Sequence, residues 1–252
     1  MSTTTPPASP LLLLPEATPV RFKRNLVRQA VCELRFPTLY SLEATKPPAG
    51  LATALRKKYL EHGVAKDVAV GPTGVSQDFA HVFTDKKSKS SISLKSSALT
   101  IETAQYVSFE DFKDRILEAL SFARRTIDSE ILTRVGLRYI NTVPYSQENI
   151  SDWVNPELVR ALRSGAFGDI PEYHGRIAGE RDGKGFAFSH GIGVNNATRA
   201  REYVLDIDMF AEGVLVTALP EILDQLHADE FKLFLWTLGP AAYQAMGPAT
   251  SK

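Results

Sequence analysis

Two aspartates and two arginines carry the spacing in this sequence that most suggests chemistry. Asp206 and Asp208 stand two apart in "YVLDIDMF", residues 203–210. On a β-strand that spacing puts both carboxylates on one face, with their Cα atoms about 6.5–7 Å apart. Such a pair suits a divalent cation. Arg138 in "VGLRYINTVP" (135–144) and Arg35 in "VCELRFP" (31–37) would then clamp a phosphate beside it. The sequence around them has no Walker-type loop and no Gly-Ser helix start. Cross-strand ion pairing is therefore the simpler expectation for the same four residues, with Arg138 partly desolvated and paired with Asp206 or Asp208.

Other chemistry-bearing residues are scattered. The histidines 62, 81, 174, 190 and 227 lack metal-ligand spacing, and His190 lies on an apolar strand face, where a satisfied, half-buried histidine is expected. Cys32 alternates with apolar residues and reads as core. "GIGVNN" (191–196) leads into no helix, so it lacks a phosphate-binding context. Lys86, Lys87 and Lys89 cluster in "TDKKSKSS" (84–91), a predicted hairpin tip; they are the nucleic-acid candidates, against a default of a solvated loop. No cofactor site and no catalytic residue is assigned, and Asp206 and Asp208 are the one pair that would suit a metal.

The elements that must position these residues follow from periodicity. Residues 24–36 alternate as a strand, Leu51–Glu61 has helical spacing, and three or four strands fill Val64–Thr103. Ser108 opens a helix in a capping-box arrangement with Asp111, and its stripe is Phe109, Phe112, Ile116, Leu120, Ala123 and Ile127. A strand over Ile131–Val143 and a short helix over Pro156–Arg163 come next. Strands are predicted near 172–179, 185–194 and 202–210, with "RDGKG" (181–185) as a hairpin turn. Pro220 starts a last helix that buries Ile222, Leu223, Leu226 and Phe234 and ends near Gly239.

The order repeats. Leu34-Arg35-Phe36 returns as Leu137-Arg138-Tyr139, and each half closes on a long helix. The expected fold is α+β: duplicated β-α-β(3-4)-α halves forming one antiparallel sheet with helices on one face, a TATA-binding-protein-like arrangement. The boundaries are a flexible leader (1–20), a first half (21–130), a second half (131–240) and a tail (241–252). Alternation then sorts the strand residues. Cys32, Leu34, Phe36, Val135, Leu137 and Tyr139 face the helices. Glu33, Arg35, Lys95, Glu102, Arg138, Asp206 and Asp208 collect on the open face and are the ligand- or partner-binding candidates.

Composition excludes little else. Lys+Arg and Asp+Glu both number 29, so no net charge draws the chain to nucleic acid or anionic membrane. A single cysteine fits a reducing cytoplasm, the expected location. The apolar run "LLLL" (11–14) is far short of a membrane span and has no basic region before it, so no membrane association is expected; a docking peptide built on it is the alternative to a flexible leader.

Taken together, "VCELRFP", "RVGLRYIN", "LDIDMF" and "QLHADEFKLFLW" resemble a sporadically distributed, functionally uncharacterised family of bacterial proteins of about 250 residues, over roughly residues 24–240. The resemblance carries no catalytic residues. It implies an accessory gene context, such as a defence or toxin–antitoxin locus. The function expected is a cytoplasmic binding or assembly protein that meets a protein partner or a second copy of itself. Nucleic-acid binding through the open face, and metal-dependent phosphate processing at Asp206 and Asp208, are the alternatives.

Overall fold

A computed structural model describes residues 11–15, 20, 22–71 and 74–248, with the side chains of 67–78 left out of account. The first part of the chain runs β1 (Val27–Arg35), α1 (Ala49–Leu55), β2 (Glu61–Gly71), β3 (Gly74–Asp85), β4 (Ser90–Leu94), β5 (Ala98–Thr103) and α2 (Phe109–Ile127). The second part runs β6 (Ile131–Pro144), α3 (Ile150–Trp153), α4 (Arg160–Arg163), β7 (His174–Arg181), β8 (Lys184–Val194), β9 (Arg201–Leu215), α5 (Leu219–Thr237) and α6 (Pro240–Met246). All the strands join one open antiparallel sheet in the order β2-β3-β4-β5-β1-β6-β9-β8-β7. The fold is α+β, and among the described residues no helix is long and apolar enough to cross a membrane.

The strands β1 and β6 meet at the centre of the sheet. Their buried positions alternate: Ala30, Cys32 and Leu34 on β1, and Val135, Leu137 and Tyr139 on β6. β9 continues this face with Tyr203, Leu205, Ile207 and Met209. The long helices α2 and α5 cover it. Ser108 caps α2, its hydroxyl oxygen accepting the Asp111 N–H at 3.2 Å, and the buried stripe runs Phe112, Ile116, Ala119, Leu120, Ala123, Ile127. α5 has its proline in the first turn and buries Leu219, Leu223, Leu226, Leu233 and Phe234. Each fully buried leucine or phenylalanine contributes about 1.5–3 kcal/mol, so this single layer of contacts dominates the stability of the fold.

The turn at 182–183 shows sequence chemistry acting directly. Asp182 and Gly183 have φ of 52° and 73°, the type I′ geometry that lets β7 and β8 pair without splaying. Elsewhere the elements depart from the expected ones. α1 stops at Leu55 because residues from Glu61 onward pair with β3 instead. α3 and α6 were not anticipated; α6 lies where a tail was expected and buries Ala242 and Met246. Part of the expected leader is also packed, since Leu12 and Leu14 sit half-buried against the core. The rest of the leader, at 1–10 and 16–19, lies outside the described residues, as do 21, 72–73 and 249–252.

Candidate functional site

The predicted candidates fall on neighbouring strands. Reading across the sheet, Ser91, Glu102, Val31, Arg138 and Asp208 form one row over β4, β5, β1, β6 and β9. Arg138 lies opposite Asp208 but pairs diagonally with Asp206. Its Nε and Nη2 donate to the two Asp206 carboxylate oxygens at 2.7 and 2.6 Å. Asp208 is taken by Arg134, whose Nη2 donates to it at 2.7 Å. Burial pushes the Asp208 carboxyl up from its ordinary value, against the pull of Arg134.

Arg134 was missed as a candidate, although it stands in the quoted "RVGLRYIN". It reaches Asp208 by lying along its own strand over Gly136, where a Cβ would come within 2.4 Å of its Nη1. Its guanidinium also stacks 4.5 Å from the Phe210 ring centroid. The sequence signal was available: a glycine between two same-face arginines clears the surface for a long side chain.

The remaining open-face candidates are also engaged. Glu33 accepts the Arg35 Nε at 2.6 Å and lies 3.8 Å from Arg134. Glu102 accepts from Gln29 Nε2 at 3.1 Å and from Ser91 Oγ at 2.8 Å. Arg28 pairs with the buried Glu202. Lys95 sits in the turn after β4, where its backbone N–H donates to the Ala98 carbonyl. Lys86, Lys87 and Lys89 lie in the β3–β4 turn, and β5 and β1 separate β4 from β6. Lys86 pairs with Glu61 at 2.6 Å, and the Lys87 backbone N–H donates to Asp85. Asp206 and Asp208 each have an arginine of their own, and among the described residues no three His, Cys, Asp or Glu side chains are placed to hold a metal ion.

The covered face holds a different arrangement. A cavity of about 1130 Å³ opens between the β1–β6 end of the sheet, the start of α2 and the middle of α5. Its walls come from segments far apart in the chain: Val20 and 22–27, 106–110, Tyr139 and Asn141, residues of α5 between His227 and Phe234, and Met246. The 22–26 segment is fixed by backbone N–H groups of Lys23 and Arg24 donating to the carbonyls of Gly247 and Met246, and by Asn25 Nδ2 donating to the Tyr106 carbonyl. Thr142 N–H in turn donates to the Leu26 carbonyl.

Three residues that line this cavity each carry a buried polar atom with no hydrogen bond of normal length: Tyr139 Oη, Asn141 Nδ2 and His227 Nδ1, with the Tyr106 hydroxyl close enough to Tyr139 Oη to interact with it. A fourth such atom, Tyr145 Oη, belongs to a residue outside the lining. Glu230 joins them, 4% exposed, with an oxygen 3.9 Å from His227 Nδ1. Burial pushes its carboxyl up to about 8. Burial also pulls the His227 imidazole down to about 4, against Glu110 and Asp224, so both groups are mainly neutral at pH 7. Aromatic rings complete the wall. Phe109 stacks on His227 with centroids 3.9 Å apart, and Tyr106 meets Tyr139 edge-on at 5.3 Å.

Sequence reading placed Tyr139 and Asn141 on the helix-facing side of their strand but took that side as plain core. Glu230 occupies a core position, four residues after Leu226 on the buried stripe of α5. An acid inside an apolar stripe was the signal that could have found the cavity. Comparison with known protein families and with curated proteins finds no match to this sequence.

Proposed function

We propose that this chain is a binding protein that holds a small organic molecule in the cavity between its sheet and its helices. One observation supports the reading: three residues that line one cavity each carry a buried polar atom with no hydrogen bond of normal length. Buried polar groups are almost always hydrogen-bonded, because leaving one unpaired costs about 1–3 kcal/mol. A ligand that supplies the missing partners removes that penalty. The cavity size and its mix of aromatic walls with a few converging polar groups are those of small-molecule sites.

Tyr139→Phe tests this, since it deletes one of these buried polar atoms and little else. Unfolding of the ligand-free variant in denaturant is expected at a higher midpoint than wild type, while saturable fluorescence of the dye 8-anilinonaphthalene-1-sulfonate is weakened. A variant that unfolds earlier than wild type would mean the hydroxyl supports the fold, and the reading would fail.

A second reading concerns the open face. Its ion-pair ladder, Arg138–Asp206, Arg134–Asp208 and Arg35–Glu33, leaves the cations already neutralised. That favours a protein partner or a second copy over a phosphate backbone, which needs cations it can claim. A monomer by light scattering that co-purifies with no protein would count against it. A duplicated, TATA-binding-protein-like origin of the two parts is supported by the sheet order. β1 and β6 pair centrally, and each is flanked by the last strand of its own part, β5 and β9. The single cysteine supports a reducing, cytoplasmic setting for either activity.

A further inference from the structure

Resting on the reading of the cavity as a binding site, we infer that its ligand is a nucleoside phosphate: a flat, uncharged, hydrogen-bonding ring held inside and an anionic group held at the mouth. The interior argues for the ring. Asn141 Nδ2 is a donor, Tyr139 Oη donates or accepts, and His227 Nδ1 accepts or donates according to its tautomer. Tyr139 and Asn141 are only 2% and 1% exposed and their polar atoms have almost no accessible surface, so a ligand meets them by displacing the side chains that cover them. Glu230, neutral at pH 7 through burial, adds a group that donates and accepts at once. A ligand meeting all of these needs donors and acceptors close together on a rigid body, as on the edge of a nucleobase. The walls match such a body. Phe109 and His227 present a stacked pair of rings, 3.9 Å apart and 14° from parallel, and Tyr106, Phe22 and Phe231 stand around the same space. Stacking of a base on an aromatic side chain contributes about 1–3 kcal/mol whichever base it is.

The mouth argues for the anion. Lys23 and Arg24 line it, are exposed, and make no ion pair among the described residues. Lys232 also lines the cavity, and Glu110 is the acid set against these three cations. A cationic ligand would meet this positive rim with a neutral Glu230 behind it. A fatty acid would satisfy the rim but leave the interior polar atoms unpaired, and inorganic phosphate would fill little of the volume.

The test is titration calorimetry with a fixed set of probes: adenosine, guanosine, cytidine and uridine 5′-monophosphates, the matching nucleosides, ribose 5-phosphate, laurate, and 8-anilinonaphthalene-1-sulfonate. At least one nucleotide is expected to bind with one-to-one stoichiometry, about tenfold tighter than its nucleoside. Ribose 5-phosphate is expected not to bind. Tyr139→Phe should weaken nucleotide and nucleoside alike by about tenfold, the equivalent of one hydrogen bond. The double variant Lys23→Ala with Arg24→Ala should abolish the difference between nucleotide and nucleoside, and its circular dichroism would show that it is folded. Binding of laurate or the dye with no binding of any nucleotide would overturn the ligand class and leave the cavity a binding site. Binding of no probe at all would overturn both.

Discussion

Glu230 makes the stability of this protein fall as pH rises through neutrality. Its carboxyl is fully buried and titrates at about 8 in the folded chain, against 4.5 in the unfolded one. An acid of this kind keeps its proton longer when folded. The unfolded chain ionises first, so unfolding releases a proton, and stability drops by about 1.4 kcal/mol for each pH unit between about 4.5 and about 8. His227 acts in the opposite sense over a lower range. Its imidazole titrates at about 4 when folded and 6.5 when unfolded, so its contribution is lost as pH falls from 6.5 toward 4. Between 4.5 and 6.5 the two slopes oppose each other. Above about 7.5 His227 is neutral in both states and Glu230 acts alone. From pH 6.5 to 8 the Glu230 part of the loss is about 1.6 kcal/mol and the net loss, after the residual His227 gain, about 1 kcal/mol.

The perturbation is Glu230→Gln, which keeps the shape of the protonated acid and cannot ionise. The assay is urea unfolding followed by circular dichroism at a series of pH values across this range. The variant is expected to show no fall above pH 6.5, so its advantage over wild type widens by about 1.6 kcal/mol by pH 8. Below pH 6.5 it should lose stability on acidification, the His227 slope having been unmasked. A wild-type protein with flat stability from 6.5 to 8, or a variant that keeps the wild-type slope, would refute the placement of Glu230 in a neutral, buried state.

Arg138→Ala should lower the unfolding free energy by about 1 kcal/mol, because its bidentate pair with Asp206 is half exposed and screened; Arg138→Lys should restore only part of this in the same denaturant assay. Gly136→Ala should displace Arg134 from Asp208, since the new methyl would lie 2.4 Å from its guanidinium; in a double-mutant cycle it should cost less in an Arg134→Ala background than in wild type. Cys32, buried with its thiol pushed up by desolvation, should not react with a disulfide reagent until urea unfolds the chain, and a fast native reaction would contradict its burial.

What the sequence showed clearly was whatever depends on short-range pattern. The Ser108 cap, the Asp182-Gly183 turn and the alternation through "VCELRFP" and "LDIDMF" each specify local geometry, and the structure has all three. The pairing of Arg138 with an aspartate was readable for the same reason, since alternation alone puts both on the open face. The partner actually chosen was not readable. It depends on Arg134 claiming Asp208 across the gap above Gly136, and that needs the register of β6 against β9. The short helices α3 and α6 span too few residues to show a period. The cavity was hidden because its walls come from segments far apart in the chain. Tyr139 and Asn141 come from one strand, His227 and Glu230 from a helix some ninety residues later, and Lys23 and Arg24 from a segment before the first strand.

The strand β6 sets the two faces side by side. Arg138 points to the open side, where water could solvate it, and yet one edge of its guanidinium holds both carboxylate oxygens of Asp206. Its neighbour Tyr139 points to the covered side, where its buried hydroxyl has the Tyr106 hydroxyl near it and no hydrogen bond of normal length. Stability alone would favour the reverse, since an exposed pair contributes little and a buried orphan costs about as much as several such pairs contribute. Phenylalanine at 139 and leucine at 141 and 230 would remove the penalty with no loss of volume. Their absence is most simply explained by a molecule that completes the hydrogen bonds when it binds. It would also account for the position of the lysine and arginine that line the same opening with no ion pair among the described residues. Proteins often retain local instability where a ligand must be recognised, and in this fold the three buried polar atoms fall on the side of the sheet where such a molecule would be enclosed.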